Sequence, residues 1–308
     1  MLEGESQRVP SHISFDQYSE KESNMSRLSE HEIRRLEEIA RKIRCHVVRT
    51  ISEAGAGHPG GSLSEADILA ALYFHVMRVD PQRPEWENRD RFVLSKGHGA
   101  AGLYATLAER GYFSPELLKT FGRIDSCLQV HPDMHMVPGV EISTGALGQG
   151  LSVALGIAMA ARMDGKAFHV YCLIGDGESQ EGQIWEAAET AAHYKVDNLT
   201  VILDYNGVQL MGPVSKIMEV APLADKWRSF NWAVMEIDGH DVRQIIEALE
   251  AAREVKGKPC ILIAHTVKGK GVSYMEGQAA WHGKPPNEEQ LAQALAELGC
   301  GELGGTNG

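Results

Sequence analysis

Two short apolar runs, each followed directly by polar turn residues, constrain the fold more than any other feature of this chain. Residues 170–174 precede Gly-Asp-Gly at 175–177, and residues 199–203 precede Asp-Tyr-Asn-Gly at 204–207. Short apolar runs bounded by turn residues are typical of buried parallel strands. Because residues 184–192 between them have a helical pattern, the sequence predicts a βαβ unit.

Asp176 and Asn206 follow the two strands of this unit, at the sheet edge where open α/β sheets bind their ligands. A carboxylate, an amide oxygen and close glycine backbone can together hold a hard divalent cation and a diphosphate. The alternative is that Asp176 caps its turn and Asn206 belongs to an ordinary Asn-Gly turn. The strand before each half and the helix between them favour the cation site.

The rest of the chain continues the alternation of strands and helices. Further strands are predicted at 91–94, 232–237 and 261–266, and further helices at 30–53, from Ser64 to about Met77, and at 242–255. This pattern predicts an α/β fold with a doubly wound, mainly parallel sheet and helices on both faces. We assign residues 27–298 to one domain, 1–26 to a polar N-terminal extension and 299–308 to a flexible tail.

Composition excludes several classes of protein. A net charge of −12 argues against a nucleic-acid surface, which needs a basic stripe. No apolar run approaches the ~18 residues of a membrane span, and the polar, acidic N-terminus is unlike a signal peptide, so we expect a cytoplasmic protein without a membrane partner. The five cysteines are scattered and form no CxxC pair, so the sequence predicts neither a disulfide framework nor a zinc site.

Four histidines lie beside glycine or proline in predicted loops: His58, His98, His131 and His282. Histidine at strand ends is suited to proton transfer and to hydrogen bonding with hydroxyls or phosphate. The alternative for any one of them is a partly exposed loop histidine. Loops at one sheet edge converge, so four together favour a shared site.

Two glycine-rich segments and one acid have less specific signals. Residues 145–150 match neither GxGxxG after a strand nor a Walker A motif, and their glycines favour close approach of backbone to a ring or another subunit. Residues 268–271 form either a solvated turn or a flexible flap leading to His282. Glu181 is either a functional acid or a favourable charge at a helix N-terminus.

Taken together, these motifs resemble the N-terminal, diphosphate-binding domain of transketolase, a thiamine-diphosphate enzyme. The resemblance runs from about Gly55 to His282. Its matching segments are 57–61, 90–99, 138–150, 175–177 with 181–182, 204–207, 237–241 and 281–283. The Gly-Asp-Gly to Asn unit alone would indicate only a thiamine-diphosphate enzyme.

The resemblance implies a thiamine-diphosphate-binding fold and a role for each matching residue. The implied metal ligands, for Mg²⁺ or else Ca²⁺ or Mn²⁺, are Asp176, Asn206 and the backbone carbonyl of Val208. The implied cofactor-binding residues are His98, Gly145, Leu147, Gly175, Asp176, Gly177 and Asn206. The implied catalytic residues are His58, His131 and His282, which contact the donor sugar, and Glu181, which couples cofactor sites across a subunit interface.

The implied activity is transfer of a two-carbon ketol unit from a ketose phosphate to an aldose phosphate. The pyrimidine-binding domain of transketolases is not identifiable in this chain, so we expect a separate C-terminal partner chain and an α2β2 assembly. The alternatives are the diphosphate-binding subunit of a 2-oxo-acid dehydrogenase or of a deoxyxylulose-phosphate-type synthase, a non-catalytic cofactor-binding module, and a fragment of a longer enzyme. Ala146 and Lys96 depart from many relatives, which carry proline and asparagine there. Lys96 is expected to affect phosphate or substrate preference.

Overall fold

The computed structural model describes residues 28–301, so the predicted extension at 1–26 lies outside the described residues. Its main sheet has five parallel strands in the order β1-β2-β3-β7-β6. These strands are β1 (Arg91–Leu94), β2 (Val170–Gly175), β3 (Leu199–Tyr205), β6 (Ala233–Asp238) and β7 (Cys260–His265). The short strands β4 (Val208–Gln209) and β5 (Gly212–Pro213) form a separate antiparallel pair. The predicted parallel α/β sheet is confirmed.

The strand register places the candidate residues at one edge. Gly175 pairs with Asp204, and Asp204 in turn pairs with Ala264 on β7. Asp176 and Asn206 therefore leave their strands at nearly the same level, as the βαβ prediction requires.

Helices cover both faces of this sheet. They are α1 (Glu30–Ala54), α2 (Pro59–Ser64), α3 (Ala66–Ala71), α4 (Ala100–Arg110), α5 (Gln149–Met163), α6 (Gly182–His193), α7 (Val214–Ile217), α8 (Leu223–Ser229), α9 (Val242–Glu254) and α10 (Glu288–Glu297). Along β2, Tyr171 and Leu173 face a core formed with α1, α3, α4 and α9, whereas Cys172 and Ile174 face a core formed with α5, α6 and α8. Both faces are buried, which explains why the strand is apolar throughout.

The helical segment that follows α1 begins earlier than the sequence predicts. We expected the helix to begin at Ser64, but α2 begins at Pro59 with His58 as the preceding residue. Proline is favoured in a first helical turn because it has no N–H to leave unpaired. Ser64 ends this helix, and its hydroxyl donates to Asp204 Oδ2 at 2.7 Å. The early start brings His58 to the sheet edge.

The C-terminal end of the described chain is anchored. A disulfide joins Cys45 on α1 to Cys300, a pairing that the scattered cysteines did not predict. Arg41 donates to the carbonyl of Gly299 at 2.6 Å, and Arg49 donates to that of Gly301 at 2.8 Å. Residues 299–301 of the predicted flexible tail are thus held against α1, while 302–308 lie outside the described residues.

None of the helices within residues 28–301 combines the length and hydropathy that a membrane crossing needs.

Candidate functional site

Asp176 is the buried acid of the site. It lies directly after β2, and only 3% of its surface is exposed. Its Oδ1 accepts a hydrogen bond from Gly177 N at 2.7 Å, and its Oδ2 accepts one from Gly207 N at 2.6 Å. Burial, together with the neighbouring charge of Asp204, raises the pKa of Asp176 to about 6 despite these two bonds. A carboxylate in this environment favours a cation partner.

The turn after β3 carries the other two predicted cation ligands, the Asn206 amide oxygen and the Val208 carbonyl. Asn206 Oδ1 accepts from Val208 N at 3.1 Å, which holds the turn closed. Gly207 has a φ of 75°, a value that glycine adopts without strain, and this conformation directs its N–H to Asp176. The bond between Gly207 and Asp176 joins the two halves of the predicted cation site.

The four predicted loop histidines form one cluster. Ring centroids lie 5.5 Å apart for His58 and His98, 5.4 Å for His58 and His282, and 5.0 Å for His98 and His282. His131 joins through His58, at 5.8 Å. They come from four separate loops: the start of α2, the 3-10 turn Gly97–Gly99, the long loop before α5, and the end of the 3-10 turn Ala279–Trp281. The convergence of the four loops therefore agrees with the prediction.

Burial keeps three of these imidazoles neutral. It lowers the pKa of His282 to about 3, and nearby Lys268 and His58 add to this effect. Burial also lowers the pKa of His98 well below its ordinary value and, with His131, lowers that of His58. His58 Nδ1 is buried without a hydrogen-bond partner in the part of the chain that the structure describes. An unpaired buried nitrogen is costly, and a ligand hydroxyl would satisfy it.

Lys268 connects the acid and histidine parts of the site. Its Nζ donates to the carbonyl of Val208 at 3.1 Å and lies 3.1 Å from His282 Nδ1. Only 2% of Lys268 is exposed, so residues 268–271 are not a solvated turn. Burial and the charge of Lys96 lower the pKa of Lys268 to about 8. The sequence carried no signal for this lysine beyond its position after β7.

The segment 145–150 packs against the same site. Gly145 lies against His131, because a Cβ built there would be 3.1 Å from His131 Cδ2. Gly148 lies closer still to Glu181, with 2.8 Å between the built Cβ and Glu181 Cβ. Leu147 is 37% exposed and Glu181 is exposed, so both are open to an incoming molecule.

Two buried residues of the site have contacts that were not predicted from sequence. Glu178 accepts hydrogen bonds from Gly175 N, Gly148 N and the Ser95 hydroxyl, at 3.0, 2.9 and 2.5 Å, and so holds three site segments together. Lys96 pairs with Asp204 at 2.6 Å, and its charge adds to burial in lowering the pKa of His98. Its expected effect on phosphate or substrate preference stays a prediction. Neither role has a spacing pattern that could have revealed it.

The donor set at Asp176 fits a hard cation shared with a diphosphate. A carboxylate, an amide and a carbonyl are oxygen donors, which Mg²⁺ prefers, and Mg²⁺ usually takes its remaining ligands from phosphate and water. Within residues 28–301, no group of three or more His, Cys, Asp or Glu side chains is arranged to hold a metal. A cation at this site would take its remaining ligands from diphosphate or water.

Comparison with known proteins agrees with this geometry. The family model described as transketolase, thiamine diphosphate binding domain, matches residues 36–302. The transketolase structure from Campylobacter jejuni superposes with a TM-score of 0.82 at 37% identity, covering 87% of this chain and 43% of that one. The chain thus spans less than half the length of that transketolase.

Shorter relatives match over nearly their whole length. A 6-deoxy-6-sulfo-D-fructose transketolase subunit from Clostridium sp. (strain MSTE9) is 48% identical over 263 residues, covering 85% of this chain and 96% of the relative. An apulose-4-phosphate transketolase subunit from Phocaeicola vulgatus is 45% identical over 267 residues, covering 87% of this chain and 95% of the relative. This chain therefore has the extent of a transketolase subunit.

Proposed function

Because the chain belongs to the family of transketolase thiamine-diphosphate-binding domains, we propose that its buried acid and histidine cluster form half of a ketol-transfer site. The chain is a subunit of a transketolase-type enzyme, a thiamine-diphosphate-dependent transferase. The observation that carries the site proposal is the convergence of four histidines on the sheet edge that bears Asp176 and Asn206.

Asp176, Asn206 and the Val208 carbonyl would bind the divalent cation, which we propose is Mg²⁺. Asp176 is the anionic ligand, and its two backbone hydrogen bonds fix the direction of its carboxylate. Gly175, Gly177 and His98 would line the diphosphate, with Lys268 adding a nearby positive charge. A side chain at residue 177 would crowd Gln209, since a Cβ there would be 3.0 Å from its Oε1.

Bound thiamine diphosphate supplies the carbon nucleophile that takes up the two-carbon unit of a ketose. The chain's own residues would orient the sugar and move protons. Neutral His58 and His282 can each donate to or accept from a hydroxyl, which a permanently charged side chain cannot do, and His131 lies in the same cluster. His282 accepts through Nδ1 from Lys268, so its other ring nitrogen carries a hydrogen and faces the ligand as a donor.

The reactive end of the cofactor would be completed by another polypeptide. Relatives of similar length are named as transketolase subunits, which supports a separate C-terminal partner. Leu147 and Glu181 are exposed beside the site, and with Gly145 they would meet the cofactor ring or the neighbouring subunit. We propose an α2β2 assembly in the cytoplasm, in which Glu181 couples two cofactor sites.

The substrates we propose are a ketose phosphate donor and an aldose phosphate acceptor. Relatives are named for 6-deoxy-6-sulfo-D-fructose and for apulose 4-phosphate, two ketoses that differ in their anionic ends. The histidine cluster suits the hydroxyl groups that such donors share. We propose that the partner subunit recognises the anionic end of the ketose. This chain would then recognise the hydroxyl groups that ketose donors share, and not the terminal group that distinguishes them.

The test is a reconstitution of the full chain with a separately expressed C-terminal transketolase subunit. With thiamine diphosphate and Mg²⁺, the mixture should transfer a ketol unit between pentose phosphates, and the chain alone should bind cofactor without turnover. Turnover by the chain alone would contradict the split site. Absence of metal-dependent cofactor binding in the mixture would contradict the proposed site itself.

A further inference from the structure

Lys96 is a buried cation beneath the proposed cofactor site. It follows β1, and only 2% of its surface is exposed. Its Nζ lies 2.6 Å from Asp204 Oδ2, 2.7 Å from Glu65 Oε2 and 2.9 Å from the carbonyl oxygen of Gly61. The ammonium therefore has three oxygen partners.

Each contact leads to a different part of the site. Gly61 belongs to α2, the helix that begins directly after His58. Asp204 precedes Asn206 by two residues on β3, and Lys96 itself precedes His98 by two residues. One ammonium thus joins the segments that carry a proposed substrate-facing residue, a metal ligand and a diphosphate contact.

Asp204 extends the network to a fourth segment. Its Oδ1 accepts from the Thr266 hydroxyl, and its Oδ2 accepts from the Ser64 hydroxyl at 2.7 Å. Thr266 directly follows β7 and lies two residues before Lys268. Asp204 thus accepts from two hydroxyls and from the Lys96 ammonium, and Lys96 is its ion-pair partner.

The chain makes room for the second carboxylate of the network. A Cβ at Gly99 would lie 2.6 Å from Glu65 Oε2, and one at Gly102 would lie 2.4 Å from Oε1. Glycine at both positions lets Glu65 sit fully buried against α4. Neither oxygen of Glu65 has a hydrogen bond of good geometry among the described residues, so Asp204 and the Gly61 carbonyl are the hydrogen-bond acceptors of the Lys96 ammonium.

We propose that Lys96 is a positioning residue of the proposed cofactor site. Without touching substrate or cofactor, its ammonium holds the segments of His58, His98 and Asn206 in register and balances the charge of Asp204. This inference rests on the proposed function for its effect on cofactor binding, but the positioning of the three segments is measurable without cofactor.

The test uses Lys96→Gln in the full chain, with two control variants. Glu65→Gln keeps the ammonium and its contacts with Asp204 and Gly61. Arg253→Gln removes a cation from another buried carboxylate, Asp90, at the opposite edge of the sheet. Amide hydrogen exchange reports the local opening of each segment. Calorimetry with thiamine diphosphate and Mg²⁺ reports affinity.

Lys96→Gln should speed exchange at least about tenfold in residues 58–64, 96–99 and 204–208, and it should weaken cofactor binding by at least about tenfold. Glu65→Gln should change both by less than about threefold. Arg253→Gln should lower the melting temperature while leaving these three segments and the cofactor affinity as in the wild type. If Lys96→Gln changes exchange and affinity while Arg253→Gln changes only the melting temperature, then Lys96 acts by positioning these segments and not through general stability.

Two results would overturn the inference: exchange in these segments that matches wild type, or equal changes in Lys96→Gln and Arg253→Gln. If Lys96→Gln alone does not fold, the double variant with Glu65→Gln is compared with Glu65→Gln, because this pair differs only at Lys96. A wild-type chain that binds no cofactor would refute the proposed function, and the exchange data would still decide the role of Lys96.

Discussion

Where the strands of the main sheet begin, buried Asp90 is surrounded by partners. Its carboxylate accepts from Arg78 Nη2 at 2.9 Å, from Arg253 at 3.1 Å and from the backbone N–H groups of Arg78 and His169 at 2.9 Å each. Where the strands end, buried Asp176 has two backbone donors and no ion pair among the described residues. The two acids are similarly buried, but Asp90 is paired with two arginines and Asp176 has no ion-pair partner among the described residues.

Their pKa values follow this difference. At Asp90, the arginines and backbone donors overcome the cost of burial, and its pKa is lowered. At Asp176, burial and the charge of Asp204 prevail, and its pKa rises to about 6. A buried charge with its partners in place belongs to the fold, because loss of one partner leaves an uncompensated charge, whereas a buried carboxylate without a cation favours a bound cation. We therefore interpret the first edge as structural and the second as a binding site.

The strongest test of this contrast is Asp176→Ala. Removing the only anionic ligand should abolish metal-dependent binding of thiamine diphosphate, a loss of at least about 100-fold in affinity, because the diphosphate loses its bridging cation. The free energy of unfolding of the metal-free chain should not fall, since burial already disfavours this carboxylate. Calorimetric titration and chemical denaturation measure the two quantities. Cofactor affinity equal to that of wild type would remove Asp176 from the cation site.

The converse substitution at the other edge is Asp90→Ala. It leaves Arg78 and Arg253 without their shared carboxylate, so the free energy of unfolding should fall by about 3 kcal/mol. In the folded fraction, cofactor affinity should remain within about twofold of wild type. Denaturant titration and calorimetry check both values, with Asp90→Asn as the control that retains an acceptor. A selective loss of cofactor affinity would show that the two edges are not separate in function.

The binding edge was largely predictable from sequence because parallel topology fixes where strand ends meet. An apolar run before Asp176 and another before Asn206 were enough to place both at one edge, and glycine or proline beside each histidine indicated loops. The roles of Lys96, Glu178 and Lys268 could not be predicted, because their partners come from distant segments that only tertiary packing brings together. The same reason applies to Cys45 and Cys300, which are 255 residues apart.

A narrower contrast concerns two histidines at the binding edge. His282 is half-buried beside Lys268, whereas His265 is exposed and lies 3.3 Å from Glu236. In the reconstituted enzyme, His282→Ala should lower kcat about 100-fold through loss of a proton-transfer group, with cofactor affinity changed by less than about threefold. His265→Ala should leave both near wild type. Equal losses of kcat and cofactor affinity in His282→Ala would place that side chain on the cofactor instead.

The smallest expected effect is a pH dependence of stability that distinguishes Glu65 from acids with arginine partners, such as Asp90. Burial raises the pKa of Glu65 to about 7, against the lowering influence of Lys96. Between its unfolded pKa of about 4.5 and this value, the folded state binds more protons than the unfolded state, so this group's contribution to stability falls as pH rises. An acid with a lowered pKa, such as Asp90, has the opposite dependence on pH.

Glu65→Gln removes this dependence because glutamine resembles the protonated acid. The stability of wild type relative to Glu65→Gln should therefore decrease by about 2 kcal/mol between about pH 5 and pH 6.5. Denaturant titrations of both metal-free proteins at each pH give this difference directly, and contributions from all other groups cancel between them. A difference that stays constant with pH would mean that Lys96 keeps Glu65 ionised in the folded state, which would make the Lys96 network as fully partnered as that of Asp90.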